Sequence, residues 1–291
     1  MKLVAFEEAG AARLGVLRDN NSEIIDLALA APSLPRELTG LIALGDAGFA
    51  AAREAAAKAP AGSVKPLKGL KFALPVANPS KIICLGLNYA DHAAEGGNKV
   101  PEYPAFFLRG PSSLLAHNAP MIRPMVSTKL DFEAELVAVI GTRARHLTAE
   151  NALSAVAGYS CFNDGSIRDY QRKSSQWTIG KNFDATGAFG PWFVTADSLP
   201  PGATGLSIQS RLNGQVMQSS NTRNMIVSTV YALQLLSEAM TLEPGDLVVM
   251  GTPAGVGYAR TPPVWMAPGD TIEIDIEGIG VLSNPIADEG A

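Results

Sequence analysis

A chain of 291 residues, 47% hydrophobic and 18% charged, carries enough apolar material for one large core, or for a core with a small appendage. A net charge of -5 without any basic run argues against nucleic acid as a partner, and no stretch is long and apolar enough to span a bilayer. The two cysteines, Cys84 and Cys161, lie in apolar strand-like settings without metal-ligand spacing, and the start, Met1 to Glu8, lacks the apolar core of a signal peptide. Buried free thiols in a reducing cytoplasm are therefore expected.

In chain order, three short strands are predicted at Lys2 to Phe6, Arg13 to Leu17 and Glu23 to Asp26. An Ala-rich helix follows from about Ala47 to Lys58, with Arg53, Glu54 and Lys58 on a solvated face. Pro60, Gly62, Pro66 and Gly69 punctuate a linker, so the chain divides into a small N-terminal α+β domain, 1–75, and a main domain, 76–291. The main domain is strand-rich, with strands at Lys81 to Leu85, Phe106 to Leu108, Phe132 to Ile140, Phe193 to Thr195, Ser207 to Leu212, Leu247 to Met250 and Thr271 to Ile276. An amphipathic helix is predicted from about Ser228 to Ala239, and Asn213-Gly214 and Pro244-Gly245-Asp246 mark turns. Many non-alternating strands and few helices define an α+β class, although periodicity alone does not give the topology.

Three clusters carry chemistry. His92 and Glu95 stand at i, i+3 in the segment Gly86-Leu87-Asn88-Tyr89-Ala90-Asp91-His92-Ala93-Ala94-Glu95, so one helical turn brings carboxylate to imidazole as a general-base dyad; an incidental exposed His is the bland alternative. Glu133 and Glu135 sit two apart in a predicted strand and point to the same face, where two like charges repel unless a cation lies between them; an edge strand with one solvated face is the alternative. Asp164, Arg168 and Gln171 fall at i, i+4 and i+7, one face of a predicted helix. By themselves they read as a solvated ion pair. Beside the Glu pair, Asp164 becomes a third oxygen ligand. Three carboxylates without Cys or His suit Mg²⁺ or Mn²⁺ rather than zinc, with positions left for water and substrate. Lys181 and Thr252 read locally as a snorkelling lysine and a turn residue.

The order of these motifs over roughly residues 80 to 287 resembles the fumarylacetoacetate hydrolase superfamily. Gly86 to His92 is similar to its entry motif, Glu133-Ala134-Glu135 to its paired metal ligands, and Asn163-Asp164 with Arg168-Asp169 to its third-ligand segment. Ile179-Gly180-Lys181-Asn182-Phe183-Asp184 resembles its lysine motif, and Met250-Gly251-Thr252-Pro253-Ala254-Gly255-Val256-Gly257 its substrate loop. The resemblance implies a mixed β-sheet roll, a homodimer, water activation by His92 and Glu95, and Mg²⁺ or Mn²⁺ on Glu133, Glu135 and Asp164. It also implies contact of Arg168, Gln171, Lys181 and Thr252 with a small 2-oxo or 2,4-dioxo acid, Lys181 further serving catalysis by neutralising developing charge. Phe107-Leu108-Arg109-Gly110-Pro111 has Arg and Gly where the family pattern has Lys and Pro, and Arg109 is left outside the site.

The expected reaction is metal-dependent hydrolysis of the C3–C4 bond of a 2,4-dioxo acid of acylpyruvate type. An oxaloacetate-type decarboxylase and an isomerase or tautomerase use the same electron sink. A catalytically silent oligomeric binding protein is the reading from another class. The segment Asp91 to Tyr103 is expected to act as a lid. Trp177, Trp192 and Trp265 are expected to pack in the core, with subunit contact as the alternative fate of each.

Overall fold

The structure, a computed structural model, describes all residues except 19, 20, 98, 100, 101 and 291. Its centre is the strand Ala134–Ile140, whose seven residues are all buried because both faces of its sheet are covered. Leu136, Ala138 and Ile140 point into a core shared with Ile208, Ile272, Ile274 and Leu282 of a second sheet. Val137 and Val139 point the other way, into a core closed by Leu41, Ile42, Phe49 and Ala52 of the helices Leu38–Ala43 and Gly45–Lys58. Alternation along one strand thus fills two cores, each fully buried Leu or Ile contributing about 1.5–3 kcal/mol.

The large sheet runs Val64–Pro66, Glu23–Asp26, Ala11–Leu17, Lys2–Glu8, Gly187–Thr195, Val156–Asp164, Ala134–Ile140, Leu247–Val249, Ile82–Gly86, Ala105–Arg109. Pairing along this path is antiparallel apart from Leu247–Val249 beside Ile82–Gly86. The N-terminal strands join it directly, with Lys2 opposite Val194 and Leu3 opposite Phe193. The second sheet has the order Gln215–Asn221, Ser207–Leu212, Thr271–Ile276, Gly280–Asp288, Met121–Arg123. The helix Thr229–Ala239 is capped by the Ser228 hydroxyl, which accepts from the Tyr231 N–H at 3.3 Å. Among the described residues no helix is long and apolar enough to cross a membrane.

Several elements differ from expectation. The Ala-rich helix starts at Gly45 and is preceded by the helix Leu38–Ala43, whose Leu38, Leu41 and Ile42 give a buried face too short to register as a period. Phe193–Thr195 is the end of a nine-residue strand, Gly187–Thr195. The main correction concerns Asn163-Asp164, read as a helix entry. They end the strand Val156–Asp164, which is paired on both sides, and this pairing outweighs the turn propensity of Asn and Asp. The helix beyond them is the single turn Arg168–Gln171.

Candidate active site and metal centre

Where Ala134–Ile140 meets Val156–Asp164 at the end of the large sheet, Glu133, Glu135 and Asp164 each place a carboxylate oxygen within 4.8 Å of the others. All three are buried, so the alternative of an edge strand with a solvated face does not describe Glu133 and Glu135. Local structure fixes them. The Glu133 N–H donates to Asn163 Oδ1 at 2.9 Å, the Asp164 N–H to the Glu133 carbonyl at 3.0 Å, and the Ala134 N–H to Gln218 Oε1 at 3.0 Å. Glu135 Oε2 accepts from the Gly251 N–H at 2.6 Å. Gly251 has φ +86°, and a Cβ there would stand 2.6 Å from Asn88 Cβ, so only glycine brings this N–H to the carboxylate.

Lys181 Nζ donates to Glu133 Oε2 and Asp164 Oδ2, both at 2.6 Å. Arg168 reaches Glu133 Oε1 at 2.6 Å and Asp131 Oδ2 at 2.7 Å, and accepts support from Gln171, whose Oε1 takes its Nη1 hydrogen bond at 2.9 Å. Arg168 and Gln171 therefore line one cavity, while Asp164 joins them through Lys181 and the Glu pair; the three come from a strand end and a separate helical turn rather than from one helical face. Burial opposes ionisation of Glu133, but Lys181, Arg168 and His92 outweigh it and hold its carboxyl far below the usual carboxylate range. For Glu135 burial dominates, with Asp164 and Glu133 adding to it, and its carboxyl is pushed well up. Burial likewise disfavours charge on Lys181, yet Asp164 and Glu133 keep its ammonium protonated beyond the ordinary lysine range.

Asp131, Glu133, Glu135 and Asp164 are four buried acids; Arg109, Arg168 and Lys181 are the three buried bases paired with them. With Glu135 ionised, as on a cation, the balance leaves one negative charge; Glu133 and Glu135 line a cavity of about 360 Å³, and Asp164 completes the all-oxygen donor set. The residues fit a hard divalent cation.

The dyad borders this cavity through His92. His92, on the helix Ala90–Glu95, has its Nδ1 2.8 Å from Glu95 Oε1, and Glu95 Oε2 accepts from the Gly255 N–H at 2.8 Å. His92 lines the cavity together with Glu133, Glu135, Lys181 and Thr252. Glu95 of the expected lid is thus joined to the loop at Gly255; residues 98, 100 and 101 of it lie outside the described residues. Asn88 ties the entry motif to the substrate loop, its Nδ2 donating to the Met250 carbonyl at 2.7 Å and the Val227 carbonyl at 3.0 Å. Thr252 Oγ1 accepts from Gln218 Nε2 at 2.8 Å, which turns the hydroxyl proton elsewhere.

Sequence reasoning missed several residues. Arg109, left outside the site, is buried against Asp164, with further hydrogen bonds to Gly165 O at 3.2 Å, Ser113 Oγ at 3.2 Å and Thr186 Oγ1 at 2.9 Å. Asp131 accepts from the Gly257 N–H at 2.7 Å and the Tyr258 N–H at 3.0 Å as well as from Arg168, so one carboxylate sets both the loop and the guanidinium. Gln218 links Ala134 to Thr252 across the two sheets. Of the three tryptophans, Trp177 lines the cavity and packs edge-on against Phe107 at 5.6 Å, whereas Trp192 donates to the Ile279 carbonyl at 2.7 Å. Trp265 is partly buried next to the core residue Met266.

A roll of two packed sheets with three buried acids and a His–Glu pair at the sheet end defines the class. The chain belongs to the fumarylacetoacetate hydrolase family: the model of that family's hydrolase C-terminal domain matches residues 81–287. Among curated relatives, the mitochondrial oxaloacetate tautomerase FAHD2A of Bos taurus is 38% identical, over 98% of this chain and 91% of that protein. A solved fumarylacetoacetate hydrolase from Exiguobacterium antarcticum is 35% identical with a TM-score of 0.84, covering 99% of this chain and 100% of that one. Maleylpyruvate hydrolase from Sphingobium sp. SYK-6, solved in complex with manganese(II) and pyruvate, is 29% identical with a TM-score of 0.81, covering 99% of each chain.

Proposed function

We propose that this chain is a divalent-cation-dependent enzyme of small 2-oxo acids in which His92 moves a proton at C3, with keto–enol tautomerisation of an oxaloacetate-type acid as its reaction. The observation that carries this is the relay from Gly255 through Glu95 to His92: Nδ1 is committed at 2.8 Å, which leaves Nε2 for the cavity over the three acids. Glu133, Glu135 and Asp164 would hold Mg²⁺ or Mn²⁺, and the bound ion supplies a Lewis acid for the carboxylate and 2-oxo oxygens of the substrate. His92 takes the C3 proton as general base, and Glu95 stabilises the imidazolium and fixes its tautomer. Lys181, with two N–H groups on Glu133 and Asp164, keeps a third to donate toward developing negative charge. Thr252, already an acceptor from Gln218, donates its proton to the substrate carboxylate, and Arg168 and Gln171 wall the same end. The tautomerase name of a relative 38% identical over nearly the whole chain supports this reading.

Hydrolysis of a 2,4-dioxo acid is the second reading, favoured by the maleylpyruvate hydrolase among the solved neighbours. There the same dyad takes its proton from a water attacking C4. Proton NMR in deuterated solvent separates the two. Accelerated exchange at C3 of oxaloacetate without release of a carboxylic acid supports tautomerisation, acid release from 2,4-dioxo acids supports hydrolysis, and acceleration of neither overturns both.

We further propose a cytosolic homodimer. Cys84 and Cys161, buried and unpaired, suit a reducing compartment, and Leu108 and Ile179, 52% and 62% exposed, are apolar surface near the site that a second subunit would cover. A monomer in light scattering refutes the assembly.

A further inference from the structure

Two of the three cations that line the cavity are committed to acids. Lys181 is held by Glu133 and Asp164, and Arg168 by Asp131 and Glu133. The third, Arg172, is exposed at the mouth, and among the described residues its guanidinium has no acidic partner. It lies 4.5 Å from the centroid of the Tyr258 ring, the same distance as Arg168, so both arginines rest on one aromatic platform. That platform is fixed from below, because Asp131 accepts from the Gly257 and Tyr258 N–H groups and from Arg168 at once.

We infer that Arg172 is a specificity-determining residue that binds a second, distal carboxylate of the substrate, making the preferred class 2-oxo dicarboxylic acids rather than 2-oxo monocarboxylic ones. The inference rests on the proposed function for the head group. The 2-oxo acid end would occupy the buried floor at Glu133, Glu135 and Asp164, and the chain would then run outward to the mouth. A terminal carboxylate meets an uncommitted guanidinium there, where a methyl group meets only a charge it cannot pair. Stacking on Tyr258 restrains the long side chain in advance, which lowers the entropy lost on binding.

Two non-hydrolysable acids of equal chain length test this: 2-oxoglutarate, which carries the distal carboxylate, and 2-oxopentanoate, which ends in a methyl group. With saturating Mn²⁺, calorimetry on the wild-type protein should give 2-oxoglutarate an affinity about tenfold higher, as expected for one charge-assisted hydrogen-bonded pair at an exposed rim. Arg172→Met should erase that preference while leaving 2-oxopentanoate binding unchanged, and Arg172→Lys should restore part of it. The kinetic counterpart is a KM for oxaloacetate raised about tenfold with kcat held. A preference that survives in Arg172→Met, or equal affinities in the wild type, overturns the assignment of Arg172 alone. If the wild type binds neither acid, the head-group reading fails and the assignment falls with it.

Discussion

Replacing Arg109 by Met keeps the volume of the side chain and removes its charge and all its hydrogen bonds. Asp164 then retains Lys181 at 2.6 Å as its one cationic partner, and Lys181 is shared with Glu133. Ser113 and Thr186 lose less, since their hydroxyls still donate to the carbonyls of Gly110 and Phe183 at 2.7 and 2.6 Å. The cost is therefore that of leaving a buried carboxylate half-compensated, about 3–5 kcal/mol. Denaturant unfolding in chelator measures it, and a fall on the order of 10 °C in Tm accompanies it. Because Arg109 orients a proposed ligand without touching the ion, Mn²⁺ affinity by calorimetry should weaken about ten- to hundredfold. A second probe reaches the same arginine without changing its charge: a Cβ at Gly187 would stand 2.8 Å from the guanidinium, so Gly187→Ala should produce part of both losses. An Arg109→Met protein within 1 kcal/mol of the wild type, with Mn²⁺ affinity within twofold, would refute the reasoning.

Glu135→Gln should abolish Mn²⁺ binding yet leave the metal-free protein as stable as the wild type or more so, because burial and the nearby Asp164 and Glu133 already disfavour the charge it removes; loss of stability in chelator counts against this. His92→Gln should lower kcat about 10²- to 10⁴-fold with Mn²⁺ affinity kept, and equal loss of metal would make His92 a ligand instead. His117 sits edge-on to Phe72 at 4.5 Å and accepts from the Ser283 N–H at 3.0 Å, and burial pushes its pKa down to about 4. The unfolded chain, with an ordinary His near 6.5, binds the extra proton first, so stability is full above about pH 6.5 and falls toward pH 4 by at most about 3 kcal/mol; His117→Gln should flatten that fall in pH-dependent unfolding. We propose the division at residue 75 as a boundary of chain organisation and not of independent folding, because a 76–291 fragment loses both the pairing of Leu3 with Phe193 and the helices Leu38–Ala43 and Gly45–Lys58 that cover Val137 and Val139. It should neither unfold cooperatively nor bind Mn²⁺, and a fragment that does both refutes this.

What could be read from the sequence was what is local. His92 and Glu95 are three residues apart, and one helical turn suffices to join them. Glu133 and Glu135 are two apart, and an extended backbone puts both on one face whatever the topology. Terminal Asn-Asp at 163–164 misled, because two-sided strand pairing is a property of neighbours that no local window contains. The supporting residues were hidden for the same reason. Arg109 meets Asp164 across 55 positions, Gln218 meets Ala134 across 84, and Asp131 meets the Gly257 N–H across 126. Each is an ordinary polar residue in its own segment and acquires a role through sheet register alone. Burial then makes the roles interdependent: a lone Arg109 or Asp164 at zero side-chain exposure is costly, and only as a pair are both tolerated. A sequence signal for such pairs lies in their joint variation rather than in either residue. Substituting Arg109 and Asp164 together should therefore cost less stability than the sum of the single changes, while the site still loses its third carboxylate.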